Sequence, residues 1–285
     1  MTRAEGKPRR SSSAHSRELG AYLRMVRQQA GKTVDDLLDV LGWSAGKLSK
    51  LEAGTRGTSP HEIALFLGVC GAEQEVRDRV MALVEAVDTG SFLRPHEASA
   101  DDLFGLRVHE QQATAITTYD PVGVPSLAQT ADYALALSDT DTVAARMDRQ
   151  AHSARRVNRP VIFYVSEAAL GSVVGSPAVM RDQLLYLTRL AHTTNIVVRV
   201  VPRARGLHEV LQHPATLLTL AAPHRPVVYV ETYAATVFHD DPQVVASYRH
   251  KMDRLSRLAL SMADSQQLIA HWLHHHDAAH HSTSD

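Results

Sequence analysis

The residues Ser44 to Lys50, SAGKLSK, carry chemistry suited to one task. Ala45, Gly46 and Ser49 are small enough to let a helix approach base edges. Ser44 adds a hydroxyl, and Lys47 and Lys50 can reach phosphates or a guanine edge. Thr33 and Arg56 on either side complete this set of candidate DNA contacts. A second set lies far along the chain. Glu167, His208 and Glu231 are candidate acid and base groups, and Arg149 can hold an anion, provided that all four converge in one cleft. The alternative is structural: Glu167 follows an apolar β-type run and suits the start of a helix, while Glu231 ends a strand and caps or pairs with an arginine. No catalytic motif is matched, and GSVVGSP lacks the lysine of a phosphate loop, so the chain reads as a non-enzyme. A third set is the crowd of His271, His274, His275, His276, His280 and His281. His271 and His275 have the i, i+4 spacing of a metal pair, but no cysteine or carboxylate framework surrounds them. A solvated tail over 274–285 is expected, with no metal and no cofactor.

The candidate DNA contacts must be positioned by two short helices. Thr33 caps the first, with Asp36 three residues on in a capping-box arrangement. Val34, Leu37, Leu38 and Leu41 give it one apolar face. Gly42 affords the turn, Trp43 packs into it, and Ser44 caps the second helix. Leu48 and Leu51 point that helix inward, leaving Ala45, Gly46, Lys47, Ser49 and Lys50 outward, and Gly54 stops it. Leu19, Tyr22, Leu23 and Val26 form an earlier amphipathic helix. Ser59-Pro60 opens another, with Ile63, Phe66 and Leu67 inside; Glu73 to Val87 is the fifth.

Five short helices in this order resemble the lambda-repressor-like, XRE-type helix-turn-helix domain, expected over residues 17–88. The resemblance implies that Arg27 and Glu52 are a scaffold ion pair rather than DNA contacts. Charge agrees with a DNA role: residues 1–60 carry 11 Lys/Arg against 6 Asp/Glu, whereas the remainder carries 19 against 25. A basic module on an acidic body is the electrostatic footprint of phosphate binding. Residues 1–16 read as a disordered basic leader, and Arg9-Arg10 precede no apolar run of a signal sequence.

No segment approaches the ~18 uninterrupted apolar residues of a membrane span, and the single cysteine, Cys70, excludes an intrachain disulfide. A cytoplasmic location is expected. Residues 89–104, with Gly90 and Pro95, read as a linker. The chain from 105 to 273 reads as a mixed α/β domain. Leu106 to Thr118 is expected to be helical, as is a segment from about Leu127. Thr140 to Asn158 is an arginine-rich helix, and Ala178 to His192 is another after Gly175-Ser176-Pro177. Four apolar runs, 161–165, 196–201, 216–220 and 227–230, read as strands, the last two joined by the hairpin turn AAPHRP. Val244 to Leu260 and Asp264 to Leu273 close the domain.

The series VPSLAQTADYA, Arg149-Gln150, VSEAALGSVVGSPAVMRDQLLYL, IVVRVVP, Gly206-Leu207-His208 and VVYVE, spanning about 105–272, resembles the C-terminal domain of WhiJ-like, or Scr-type antitoxin-like, actinobacterial transcriptional regulators. Ser126 and Ala128 stand where the family pattern has glycine and leucine, and Ser166 where it has aspartate. The resemblance implies a DNA-bound regulator paired with a small protein encoded nearby. Tyr119, Pro125, Gln129, Tyr133, Arg149, Gln150, Glu167, His208 and Glu231 are then the candidate partner or effector contacts. The expected function is sequence-specific transcriptional regulation, with double-stranded DNA as partner. The alternative is an antitoxin-like protein that sequesters its partner and autoregulates its operon. One helix-turn-helix module touches only a half-site, so a homodimer is expected, built through the second domain or the helix 73–87.

Overall fold

The computed structural model describes residues 12–55, 59–96, 103–154 and 158–282. It divides into two compact units. The first runs through Phe92 and takes in Ala221–Arg225 and His239–Asp241; the second holds the remainder. In the first unit, α1 (Ala14–Gln29) opens at Ser13, whose hydroxyl accepts the Ser16 amide. It therefore begins inside the segment expected as leader; residues 1–11 lie outside the described residues. α2 (Val34–Leu41) starts with the complete Thr33–Asp36 capping box and ends at Gly42, whose φ of 63° is left-handed. α3 (Ala45–Glu52) is capped by Ser44. α4 (Pro60–Val69) starts with a second capping box, Ser59 with Glu62, and proline in its first turn. α5 (Gln74–Glu85) completes the five. Tyr22, Leu23, Leu37, Leu48, Leu51, Ile63, Phe66, Leu67, Val80 and Leu83 are all buried. This is the apolar stripe of each helix turned inward.

The second unit is a mixed α/β domain. Among the described residues the seven strands, which lie in this unit apart from Ser91, Phe92 and His239, are β1 (Ser91–Pro95), β2 (Ala113–Asp120), β3 (Val161–Ser166), β4 (Ile196–Val201), β5 (Ala215–Leu220), β6 (Val227–Glu231) and β7 (Ala235–His239), ordered β1-β7-β6-β5-β2-β3-β4. β2, β3 and β4 run parallel, and helices make the crossovers that parallel neighbours require. α6 (Phe104–Gln112) precedes β2. α7 (Ala131–Leu135) and α8 (Thr140–Ala154) lead from β2 to β3; α9 (Glu167–Gly171) and α10 (Pro177–Ala191) lead from β3 to β4. β5 runs antiparallel to both β2 and β6. α11 (Pro242–Leu258) and α12 (Met262–Ser282) close the chain. One apolar cluster joins Tyr119, Leu217 and Val228 of the sheet to Val245, Met252 and Leu255 of α11.

The four apolar runs are strands, as their β-branched content predicts. Three expectations need correction. The helix expected over 106–118 stops at Gln112, and Ala113–Asp120 is β2. ATAITTYD is rich in β-branched side chains, and its pairing with strands on both sides overrides helical periodicity. The expected linker contains β1. Residues 274–282 of the expected solvated tail belong to α12, where His276 is buried and bonds the Leu170 carbonyl at 2.7 Å, and residues 283–285 lie outside the described residues. Among the described residues no helix is long and apolar enough to cross a membrane.

Candidate nucleic-acid interface and candidate ligand cleft

α3 displays Ala45, Gly46, Ser49 and Lys50 to solvent, while Leu48 and Leu51 are buried. Its start is fixed locally: the Ser44 hydroxyl accepts the Lys47 amide at 3.2 Å. Thr33 is engaged in its capping box, accepting from the Asp36 amide at 3.2 Å and donating its own amide to Asp36 at 2.7 Å. The Thr33 hydroxyl, and then its backbone amide, hold the Asp36 carboxyl below the usual range. Lys47 differs from the expectation of an outward lysine. Its side chain is 15% exposed, ion-paired with Glu62, and its ammonium lies 4.1 Å from the Trp43 ring centroid. Trp43 in turn stacks on Phe66 at 6.2 Å. The four-carbon stem of Lys47 reaches back across the turn because an acceptor and an aromatic face both lie there. Lys50 is thus the exposed cation of α3. Arg56 lies outside the described residues.

The far end of α3 is held by Arg27. Its Nε donates to Glu52 Oε1 at 2.6 Å and its Nη2 to Oε2 at 3.0 Å, a two-pronged pair. Arg24 Nε adds a third bond at 3.3 Å. The bonds to Glu52 raise the Arg27 pKa above its ordinary value. Sequence reasoning missed Gly20 here. A Cβ at Gly20 would sit 2.6 Å from the Glu52 carbonyl oxygen, so only glycine lets α1 approach the end of α3 this closely. It also missed Glu62, although the SPHE spacing of the capping box is legible.

In the second unit, a cleft of about 180 Å³ opens at the ends of β2 and β6. Thr118, Thr216 and Tyr229 form one register row across β2, β5 and β6 and make its floor. The loop after β2 and α8 supply its walls. That loop is held from several directions. Asp120 Oδ1 accepts the Val122 and Gly123 amides, each at 2.8 Å. The Tyr133 hydroxyl accepts the Val124 amide at 3.2 Å. Gln129 Nε2 donates to the Val124 carbonyl at 2.8 Å, and Gln150 Nε2 donates to the Ser126 and Gln129 carbonyls at 2.9 and 3.0 Å. The conspicuous amides of the motif series therefore shape a loop.

Behind the floor lies a buried ionic network. Arg149, 1% exposed, donates through Nε and Nη2 to Glu110 at 3.1 and 2.6 Å. Tyr229 donates to the same carboxylate at 2.7 Å. Burial opposes the Arg149 charge, but Glu110 and Glu231 outweigh it and keep its pKa above the ordinary value. Burial, then Glu110, pushes the Tyr229 phenol well up, so it remains a donor. Glu231 accepts from Ser126 Oγ at 3.0 Å and lies 3.7 Å from Arg149 Nη1. Tyr119, Pro125, Gln129 and Glu231 thus meet in the cleft, with Arg149 and Gln150 immediately behind. Tyr119 donates to the Leu211 carbonyl at 3.2 Å. Glu167 and His208 do not join them. Glu167 begins α9 and accepts the Arg203 amide at 2.7 Å, and His208 stands outside the cleft. The set weighed for acid–base chemistry is not assembled. Among the described residues no cluster of three or more His, Cys, Asp or Glu is placed to hold a metal ion.

Comparison with known families gives two matches. A family described as a helix-turn-helix domain matches residues 18–80, which contain most of α1, all of α2 to α4 and the first half of α5. One described as a domain of unknown function (DUF5753) matches residues 105–271. No curated protein and no solved structure matches the chain. A helix-turn-helix domain points to a DNA-binding regulator. The second match covers more than half of the sequence, and the chain therefore belongs to the DUF5753 family, with a helix-turn-helix domain ahead of the family domain.

Proposed function

We propose that this protein is a sequence-specific DNA-binding transcriptional regulator of the WhiJ-like, antitoxin-like kind. α3 is its recognition helix, and its α/β domain receives an effector or a small partner protein at the cleft. The observation that carries the DNA reading is the outward face of α3. Ala45, Gly46 and Ser49 leave the helix start unobstructed, Lys50 supplies exposed positive charge, and Arg27 and Gly20 fix the opposite end. Small residues at the start of a capped helix, with an exposed cation one turn on, match the way such helices enter the major groove. The effector reading is supported by the cleft, where charged groups converge on a loop braced by Gln129, Tyr133 and Gln150. The protein works as a homodimer on a two-part operator, since one module spans only a half-site. The test is selection of operator sequences from a random DNA pool, followed by affinity measurements over a salt series. A single enriched, two-part sequence whose binding weakens on Lys50→Ala supports the reading. Enrichment of no sequence, or binding indifferent to α3, removes it.

A further inference from the structure

The cleft contains charged side chains whose hydrogen bonds the fold leaves incomplete. Arg146 of α8 lines it and donates through Nη1 to Gln129 Oε1 at 2.7 Å. Among the described residues its buried Nε has no hydrogen-bond partner, and its Nη2 forms no hydrogen bond. Nε and Nη2 form the side edge of a guanidinium, the edge that matches a carboxylate in two parallel bonds. Leaving it unengaged is costly, and a ligand that completes it recovers that cost. The opposite charge also has unengaged atoms. Glu231 Oε1 lies 3.7 Å from Arg149 Nη1, too far for a hydrogen bond. Asp120 binds its two amides through Oδ1 alone and lines the same cleft. Arg149 itself is neutralised by Glu110.

An occupant that offers an anion to Arg146 and a cation to Glu231 and Asp120 completes the bonds on both sides. A phosphate dianion would meet two carboxylates. An apolar ligand would leave every one of these groups desolvated. A diamine would leave Arg146 unanswered. Size narrows the class further: about 180 Å³ lies below the roughly 300–1,000 Å³ of pockets for drug-sized ligands. Leu137 and Pro214 line the cleft as well and offer apolar surface to a side chain. We propose that this cleft binds a free α-amino acid or a close zwitterionic relative, its carboxylate on the Arg146 guanidinium and its ammonium between Glu231 and Asp120. This rests on reading the cleft as the effector site and names the class of effector.

The test uses the full chain, titrated calorimetrically with each of the twenty free L-amino acids, with their N-acetyl and amide derivatives, and with inorganic phosphate. At least one free amino acid is expected to bind. Blocking either its amine or its carboxylate is expected to weaken binding by about 10- to 100-fold, the loss of one charge-assisted hydrogen-bonded contact. Arg146→Lys, which retains the charge and loses the fork, and Glu231→Gln are expected to weaken it similarly while leaving the circular dichroism spectrum unchanged. Binding of none of the twenty, equal binding of blocked and free forms, or preference for phosphate overturns the proposal. DNA affinity is measured in parallel. An amino acid that binds without altering it sustains the site and removes its role as effector. Intact DNA binding with no amino-acid binding overturns the site and leaves the regulator reading standing.

Discussion

Lys47 is ion-paired with Glu62 of α4 and covers the Trp43 ring at 4.1 Å, so the first lysine of α3 is held by the scaffold. In the proposed reading Lys50, which is exposed, carries the contact with phosphate or base. Lys50→Ala is expected to weaken DNA binding and to lower the salt slope by about one unit, the value of one phosphate contact. Glu62→Gln keeps a capping residue at the third helical position while releasing Lys47. It is expected to tighten non-specific binding and steepen the slope. Fluorescence anisotropy over a salt series checks both, and equal losses for Lys47→Ala and Lys50→Ala would contradict the division of roles.

Arg27 and Glu52 close the end of α3 from the other side. Glu52 is nearly buried and accepts from two arginines. A double-mutant cycle with Arg27→Met and Glu52→Gln is expected to give a coupling of about 1–3 kcal/mol in urea unfolding. A coupling below ~0.5 kcal/mol would reduce the pair to a surface contact.

In the second unit, Arg149→Met strips Glu110 of its main counter-charge at a buried position. The expected cost is about 3–5 kcal/mol, because an uncompensated buried carboxylate remains. Adding Glu110→Gln removes that charge while keeping an acceptor for Tyr229, and part of the stability is expected to return. Thermal melts of the single and double variants measure this. A double variant no more stable than the single one would refute the account.

Lys251 donates to the His213 carbonyl at 2.5 Å and lies 5.6 Å from the Tyr119 ring centroid. Burial lowers its pKa from 10.5 to about 8. Between those values the unfolded chain holds more protons than the folded one, so this site makes stability rise with pH. Tyr119 acts in the opposite sense: burial, aided by Asp120, lifts its pKa from 10.0 to about 12, and stability falls as pH rises through that window. Lys251→Met is expected to raise stability at pH 7 and to flatten the rise between pH 8 and 10. Urea midpoints measured across pH decide it, and an unchanged profile in the variant would exclude Lys251 as the titrating group.

The end of α12 is a structural element. His276 is 1% exposed and bonds the Leu170 carbonyl. His276→Ala leaves that carbonyl without its partner and is expected to cost about 1–3 kcal/mol. Truncation after Leu273 is expected to cost at least as much. A truncated chain with unchanged melting temperature would restore the picture of a solvated tail.

The local rules written in this sequence decided its local structure. Thr33, Gly42, Ser44, Ser59 and Pro60 mark the ends of α2, α3 and α4, because caps and left-handed glycines act within one turn of chain. The apolar runs of β3 to β6 were legible for the same reason. Arg27 and Glu52 followed from likeness to a known domain rather than from spacing. Tertiary structure decided where periodicity and pairing compete. Residues 113–118 join β2 because strands on both sides offer backbone partners that no local pattern displays. It also turned Lys47 inward, placed His276 under a carbonyl and gathered Arg146, Glu231 and Asp120 around one cleft. Those side chains come from separate elements, α8, β6 and β2. Their proximity is set by the crossover connections and strand order, which a linear pattern does not contain.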